Sequence, residues 1–244
     1  MFVLSLDTAT PVVSVAVTEL LPHPLAPGDR LSYVSPDRYR HVRAARDVEA
    51  PNRHGEILAT LVDDVLRESD VARGELTAVA VGLGPGPFTG LRVGIMTAAA
   101  LADALRIPAY GVCSLDAIAN PLGTLTDDFL VVTDARRRQV YWAAYDQNVR
   151  RVAGPEIDTP ADVAARFHGR RPQVFGWGVQ AHGDAFAGFP VDDIPRHPGA
   201  ATIAEMVELR VRNGAAADRL DPLYLRRPDA RPPAAPKKVT PGVG

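Results

Sequence analysis

The chain has 244 residues, with 27 Lys+Arg against 29 Asp+Glu for a formal net charge of −2, and is 46% hydrophobic and 23% charged. That balance is ordinary for a globular protein and excludes one that grips nucleic acid through a uniformly basic surface. A single cysteine, Cys113, excludes an intramolecular disulfide and any cysteine-rich metal site. The first residues run into Asp7 without a basic leader, and the longest uncharged stretch, 76–91, is interrupted by glycines and prolines. A soluble cytoplasmic protein with no membrane span is expected.

Residues 2–6 and Val12–Val17 read as two apolar strands joined by a tight turn at Thr10-Pro11. From Pro22 to Pro51 the chain is polar and proline-studded, with a third strand expected near Leu31–Val34 between exposed loops. Asn52 fits the N-cap of a helix in which Ile57, Leu58, Leu61, Val62, Val65 and Leu66 recur at helical spacing. Ala78–Leu83 predicts a buried strand that enters the loop Gly84-Pro-Gly-Pro-Phe-Thr-Gly90 and a long helix to Leu105. Beyond Pro108, Tyr110–Val112 supplies one more strand.

The second half repeats this outline. Phe129–Thr133 and Val140–Tyr145 read as strands, and a turn at Asp146–Asn148 leads to a third. Thr159-Pro160 starts a helix, Val174–Trp177 is another strand, and helical segments follow near 179–187 and 201–212. Two similar α/β lobes are therefore expected, 1–107 and 108–228, followed by a disordered proline-rich tail at 229–244.

Four motifs bear on chemistry. Asp7-Thr-Ala-Thr10 brings a carboxylate and the Thr8 and Thr10 hydroxyls to a strand end. Such a set orients a phosphate or a metal-bound water, and equally stabilises a turn. The glycine loop offers backbone amides to an anion, but Gly84, Gly86 and Gly90 miss the dinucleotide spacing by one residue, and no Gly-Lys-Ser/Thr completes a P-loop. In its helix, Gly90, Gly94, Ala98 and Ala102 form a smooth stripe that either seats the helix on its own sheet or forms a subunit interface.

His54-Gly-Glu56 opens the first helix, yet Leu58 occupies the position where a metal pair needs a second histidine, so no metal site is expected. In Thr133-Asp-Ala-Arg-Arg-Arg-Gln-Val-Tyr-Trp142, Asp134 mirrors Asp7, while Arg136, Arg137 and Arg138 fill a turn where a phosphate loop needs small residues. The arginine run reads either as an anion-attracting turn or as a solvated one. Gly-x-Ser-x-Gly is absent, and Cys113 reads as a core thiol.

These motifs, with Pro222-Leu-Tyr-Leu-Arg-Arg-Pro, run in order from residue 3 to 228, and on them the chain resembles the TsaB (YeaZ) family. The resemblance implies an α/β fold of two actin-like or Hsp70-like (ASKHA) lobes, each a mixed sheet with helices. It also implies a role in forming N6-threonylcarbamoyladenosine in tRNA. The chain would be a non-catalytic scaffold and paralogue of the transferase TsaD, aided by the ATPase TsaE, with no required cofactor and at most weak nucleotide at the partner interface.

By the same resemblance, Asp7, Thr8, Thr10, Gly84, Gly86 and Asp134 are phosphate-loop-like positions. A homodimer, or a heterodimer with a TsaD-like chain, would pair through the helices near 54–68 and 89–105. The interface residues would be Ile57, Leu58, Leu61, Val65, Thr89, Gly90, Val93, Gly94, Thr97 and Ala98. Contact with tRNA would come mainly through the complex; if tRNA touches this chain at all, the basic clusters Arg136–Arg138, Arg150-Arg151 and Arg226-Arg227 are where it would do so, weakly and with strong salt dependence. The 20–51 region departs from the family's short hairpin. A residual ATPase using Asp7 and Thr10 is the rival reading, and a glycoprotease-like peptidase a more distant one.

Overall fold

A computed structural model describes residues 1–22, 39–192 and 194–226. Its architecture follows from strands that are apolar on both faces, as strands covered by helices on both sides must be. In β1 (Phe2–Asp7), Leu4 and Leu6 face one helical layer while Val3 faces the other. In β4 (Leu76–Gly82), Val79 and Val81 alternate in the same way with Ala78 and Ala80. With β2 (Val12–Leu20), β3 (Arg40–Glu49) and β5 (Ala109–Val112) they form a five-stranded sheet in the order β3-β2-β1-β4-β5. The β1–β2 and β2–β3 pairs are antiparallel, and β1–β4 and β4–β5 are parallel.

The second sheet repeats this plan with β6 (Phe129–Asp134), β7 (Val140–Tyr145), β8 (Arg151–Asp158), β9 (Gln173–Phe175) and β10 (Val191–Asp192), in the order β10-β9-β6-β7-β8. Its senses match those of the first, antiparallel for β6–β7 and β7–β8 and parallel for β6–β9 and β9–β10. The two lobes thus share one topology, and Asp7 and Asp134 end equivalent strands.

Helices α1 (His54–Ser69) and α2 (Phe88–Leu105) cover one face of the first sheet. By length and composition α2 is apolar enough to cross a membrane. In the fold it is a core helix, with Leu91, Ile95, Ala98 and Ala102 packed against β1 and β4 residues. The opposite face is covered by α6 (Ala200–Arg212) through Ile203, Ala204, Val207 and Val211. Helix α3 (Ser114–Ala119) packs on both sheets, while α4 (Pro160–Phe167) and α5 (Gly178–His182) cover the far side of the second.

Three expectations are corrected. The lobe boundary at 107/108 cuts off β5, which is the parallel edge strand of the first sheet with Val79 opposite Ala109, and α6, which returns to that sheet from the end of the chain. The strand beyond residue 22 is β3, in a segment expected to be loop. It is a largely exposed edge strand that sends only Ala44 and Val48 against the core, and its arginines pair with acids outside it: Arg40 with Glu205, Arg43 with Glu19 and Arg46 with Glu68. Asn52 does not cap α1, because it sits at φ 65° in the preceding turn and the cap position is Arg53. The expected strand at 31–34, Arg227 and the tail at 229–244 lie outside the described residues.

Candidate functional site: the junction between the lobes

In this strand order β1 and β6 bring Asp7 and Asp134 to a common junction. Asp7 is fully buried. Its Oδ1 accepts the Ala9 N–H at 2.7 Å, and its Oδ2 accepts the Ser114 hydroxyl at 2.6 Å. Ser114 Oγ in turn accepts the Gly84 N–H at 3.1 Å. Burial pushes the Asp7 carboxyl up to about 6, and the hydrogen bonds from Ser114 and Ala9 offset part of that rise. A Cβ on Gly82 would stand 1.7 Å from Asp7 Oδ2, so that glycine exists to admit the carboxylate. Asp7 is therefore a strut joining the ends of β1 and β4 to the start of α3. The sequence reading missed both Gly82 and Ser114, and the one available signal was a glycine closing a β-branched strand.

The other phosphate-loop-like positions are engaged as well. The Thr8 hydroxyl donates to the Gly90 carbonyl at 2.8 Å, and the Thr10 hydroxyl stays within its own turn at Val12. The Thr10 carbonyl lies 2.8 Å from His54 Nε2; a carbonyl only accepts, so Nε2 carries the proton. The room that Gly84 and Gly86 leave is filled by protein. A Cβ on Gly86 would meet the Ala9 carbonyl at 2.4 Å, and one on Gly84, at φ +95°, would meet Leu91 at 2.9 Å.

Across the junction, Asp134 Oδ1 accepts the Arg136 N–H at 3.1 Å and lies 3.0 Å from His182 Nε2. Arg136, Arg137 and Arg138 occupy three successive left-handed positions, φ 60°, 54° and 60°. The Arg136 guanidinium crosses to the first lobe and donates to Asn52 Oδ1 at 2.7 Å. What remains between Thr10, His54, Asp134, Arg136 and Trp177 is about 30 Å³. That admits about two waters, against roughly 300–1,000 Å³ for pockets that hold small molecules.

The helical residues named as an interface divide into two groups. Leu58, Leu61, Val65, Gly90, Gly94 and Ala98 are buried in the protomer, so they seat the helices on their own sheet. The close approach is visible at Gly94, where a Cβ would stand 2.3 Å from Thr8 Oγ1. Thr89 is exposed, and Ile57, Val93 and Thr97 are half-buried. The accessible face of the helix pair is formed instead by Ala59, Thr60, Arg92, Met96 and Ala100, with Met96 64% exposed. At its edge Tyr224 stacks on Phe88 at 4.9 Å, and Arg92 lies 4.2 Å from the Phe88 ring centre.

Among the described residues, hydrolytic chemistry has one superficial candidate, a Ser14, Asp47 and His197 cluster that no local motif announces. The Ser14 hydroxyl donates to Asp47 Oδ1 at 2.5 Å and accepts the Ala200 N–H at 2.8 Å, while His197 Nε2 lies 3.2 Å from Asp47 Oδ2. The carboxylate, not the imidazole, sits in the middle. Ser14 is buried, so no base reaches its hydroxyl and no carbonyl can approach it. Burial raises the Asp47 carboxyl, but hydrogen bonds from His197 and Ser14 outweigh this and hold it below the usual range. The cluster fastens β2 and β3 to the start of α6. Burial also pushes the Cys113 thiol up to about 11, away from nucleophilic use. Among the described residues, no three His, Cys, Asp or Glu side chains converge as a metal-binding group.

Two lobes of one topology around a filled central junction define a two-lobed α/β protein of the ASKHA class. Comparisons with known proteins narrow this further. The family model described as "TsaD: tRNA N6-adenosine threonylcarbamoyltransferase" matches residues 48–175, just over half of the chain. A Mycobacterium tuberculosis protein described as uncharacterized is 42% identical over 231 residues, covering 94% of both chains. The Escherichia coli tRNA threonylcarbamoyladenosine biosynthesis protein TsaB is 35% identical over 100 residues, 40% of this chain and 43% of its own. YeaZ from Pseudomonas aeruginosa superimposes with a TM-score of 0.68 at 25% identity, covering 92% of this chain and 100% of its own. The chain belongs to the TsaD family, and within it is a TsaB/YeaZ-like protein.

Proposed function

We propose that the protein acts in forming N6-threonylcarbamoyladenosine in tRNA, in the cytoplasm, as a non-catalytic subunit that holds a TsaD-like transferase in working form. The observation that carries this reading is the filled junction. An ATPase of this architecture needs an open cleft with acids facing phosphate and metal-bound water. Here Asp7 faces Ser114 and Ala9, Arg136 bridges the lobes, about 30 Å³ remains beside Asp134, and the larger groove next to it is lined by no aspartate or glutamate that could face a metal-bound water. The subunit requires no cofactor of its own, works beside a TsaE-like ATPase, and leaves the chemistry on tRNA to its partner.

The exposed face of α1 and α2 fits the partner contact. Met96 and Phe88 supply apolar area, and Ala59 and Ala100 let another helix approach closely. A second copy of the chain would use the same face when the transferase is missing. Met96→Asp is expected to weaken association roughly tenfold while leaving the fold intact, because the side chain is solvated in the protomer. Light scattering of the purified chain and co-purification with the TsaD-like protein read this out. An unchanged assembly state would move the contact elsewhere.

The function itself is tested by depletion and rescue. Threonylcarbamoyladenosine in tRNA is expected to fall when the protein is depleted and to return with the wild-type chain. Normal levels during depletion would overturn the assignment. The residual ATPase reading makes the opposite claim for the isolated chain: magnesium-dependent ATP binding at micromolar affinity, lost in Asp7→Ala.

A further inference from the structure

Adjoining the filled junction, and sharing His54, Pro87 and Arg136 with it, lies a groove of about 480 Å³ lined from both lobes. Its walls come from His54 at the start of α1, Phe88 and Thr89 in the first turn of α2, Arg136 and Arg137, and Arg226. None of the residues lining it is an aspartate or glutamate. Helix α2 has 18 residues and no side-chain cap, so its first N–H groups add positive potential at the wall.

How the arginines are held matters more. Arg136 donates to the Asn52 amide and Arg226 to the Gln139 amide, both neutral acceptors that fix a guanidinium without cancelling its charge. Six arginines elsewhere, Arg40, Arg43, Arg46, Arg73, Arg166 and Arg212, each meet a carboxylate instead. Asp134, which precedes the turn, lines the filled junction and is engaged by His182. The turn also keeps three consecutive non-glycine residues in a conformation that L-residues adopt reluctantly, presenting exposed arginine side chains beside the groove.

The geometry points to an RNA-backbone contact: this groove takes phosphodiesters of a tRNA strand, one phosphate between the α2 N-terminus, Arg136 and Arg226, with Arg138 beside its neighbours. This rests on the proposed role in tRNA modification and adds a direct contact made by this subunit. A strand of phosphates fits better than a single small anion, because the basic turn continues past the groove and the groove opens to solvent. Of the three basic clusters in the sequence, the fold unites Arg136–Arg138 with Arg226. It sends Arg150 and Arg151 to the opposite end of β7, where Arg151 is bound to Asp116 at 3.2 Å.

The test is equilibrium binding of unmodified tRNA to the complex of this chain with its TsaD-like partner across a salt series. The wild-type complex is compared with an Arg136→Gln, Arg226→Gln double variant and with the charge-conserving Arg136→Lys, Arg226→Lys pair. The glutamine pair is expected to bind about tenfold more weakly at low salt, and each lost phosphate contact lowers the slope of log affinity against log salt by about 0.7–0.9. The lysine pair is expected to keep most of that slope. Unchanged affinity and slope in a folded, assembled glutamine variant would overturn the contact. So would ATP or AMP bound in the groove with RNA binding unaffected, or weakened subunit association with RNA binding unaffected. Rescue of threonylcarbamoyladenosine by the wild-type chain, scored in parallel, separates failure of this contact from failure of the functional reading.

Discussion

Gly94→Arg is expected to yield no stably folded protein, although Gly94 belongs to a stripe that reads equally well as a subunit interface. A Cβ there would stand 2.3 Å from Thr8 Oγ1 and 3.3 Å from Leu6. Thr8 cannot rotate away freely, because its hydroxyl is committed to the Gly90 carbonyl one turn earlier on the same helix. Alanine alone overpacks the site at a cost of about 1–3 kcal/mol. Arginine adds an unpaired guanidinium with no route to solvent, a cost of several kcal/mol more against a total stability of about 5–15 kcal/mol. Circular dichroism and thermal melts read this out. A folded, monomeric Gly94→Arg protein would show that α2 turns this stripe outward.

Asp7→Asn is expected to stabilise the protein above pH 6. The carboxyl is raised by burial from 3.8 to about 6, so between these values the native state holds a proton that the unfolded chain has released. Stability therefore falls as pH rises from about 4 to about 6 and then levels off. The full shift corresponds to roughly 3 kcal/mol, an upper bound on what the neutral amide recovers at pH 7. For a chain of this size the gain is up to about 6–12 °C in melting temperature. Asn keeps an acceptor for the Ala9 N–H, while its amide reverses the bond to Ser114, and this trims the gain. Melting temperatures across pH 4–8 check it. A variant less stable than wild type at pH 7.5, with the slope between pH 4 and 6 unchanged, would place the titration elsewhere.

Legibility followed burial. Strands β1, β4, β6 and β7 and helices α1 and α2 stand out in the sequence because their apolar runs carry a clear period or are continuous. Strand β3 does not, because a largely exposed edge strand carries arginines where a core strand carries valines, with only Ala44 and Val48 turned to the core. Helix α3 escapes for the opposite reason: Leu115, Ala117, Ile118 and Ala119 are all buried between two sheets, so no polar face marks a helical period. The stripe at Gly90, Gly94 and Ala98 announces close approach but not which surface approaches; Thr8, distant in sequence, supplies the answer.

The site was half legible. Asp7 and Asp134 were recognisable as equivalent strand ends, and the crowding at Arg136–Arg138 was visible as a run of large side chains. That the junction is filled depends on contacts between distant segments, Arg136 with Asn52 and Ser114 with Asp7, which no spacing rule predicts. The Ser14, Asp47 and His197 cluster is likewise invisible in sequence, and its order shows why three catalytic residue types in one place do not make a hydrolase.

The central claim is that this chain works through its surface and not through the junction between its lobes. The most direct test measures threonylcarbamoyladenosine in tRNA from cells depleted of the native protein and supplied with either Asp7→Asn or Met96→Asp. Asp7→Asn is expected to restore the modification to the wild-type level and Met96→Asp to fall well short of it. A folded, partner-bound Asp7→Asn protein that fails to restore the modification would contradict the account, because the buried carboxylate would then be doing chemistry.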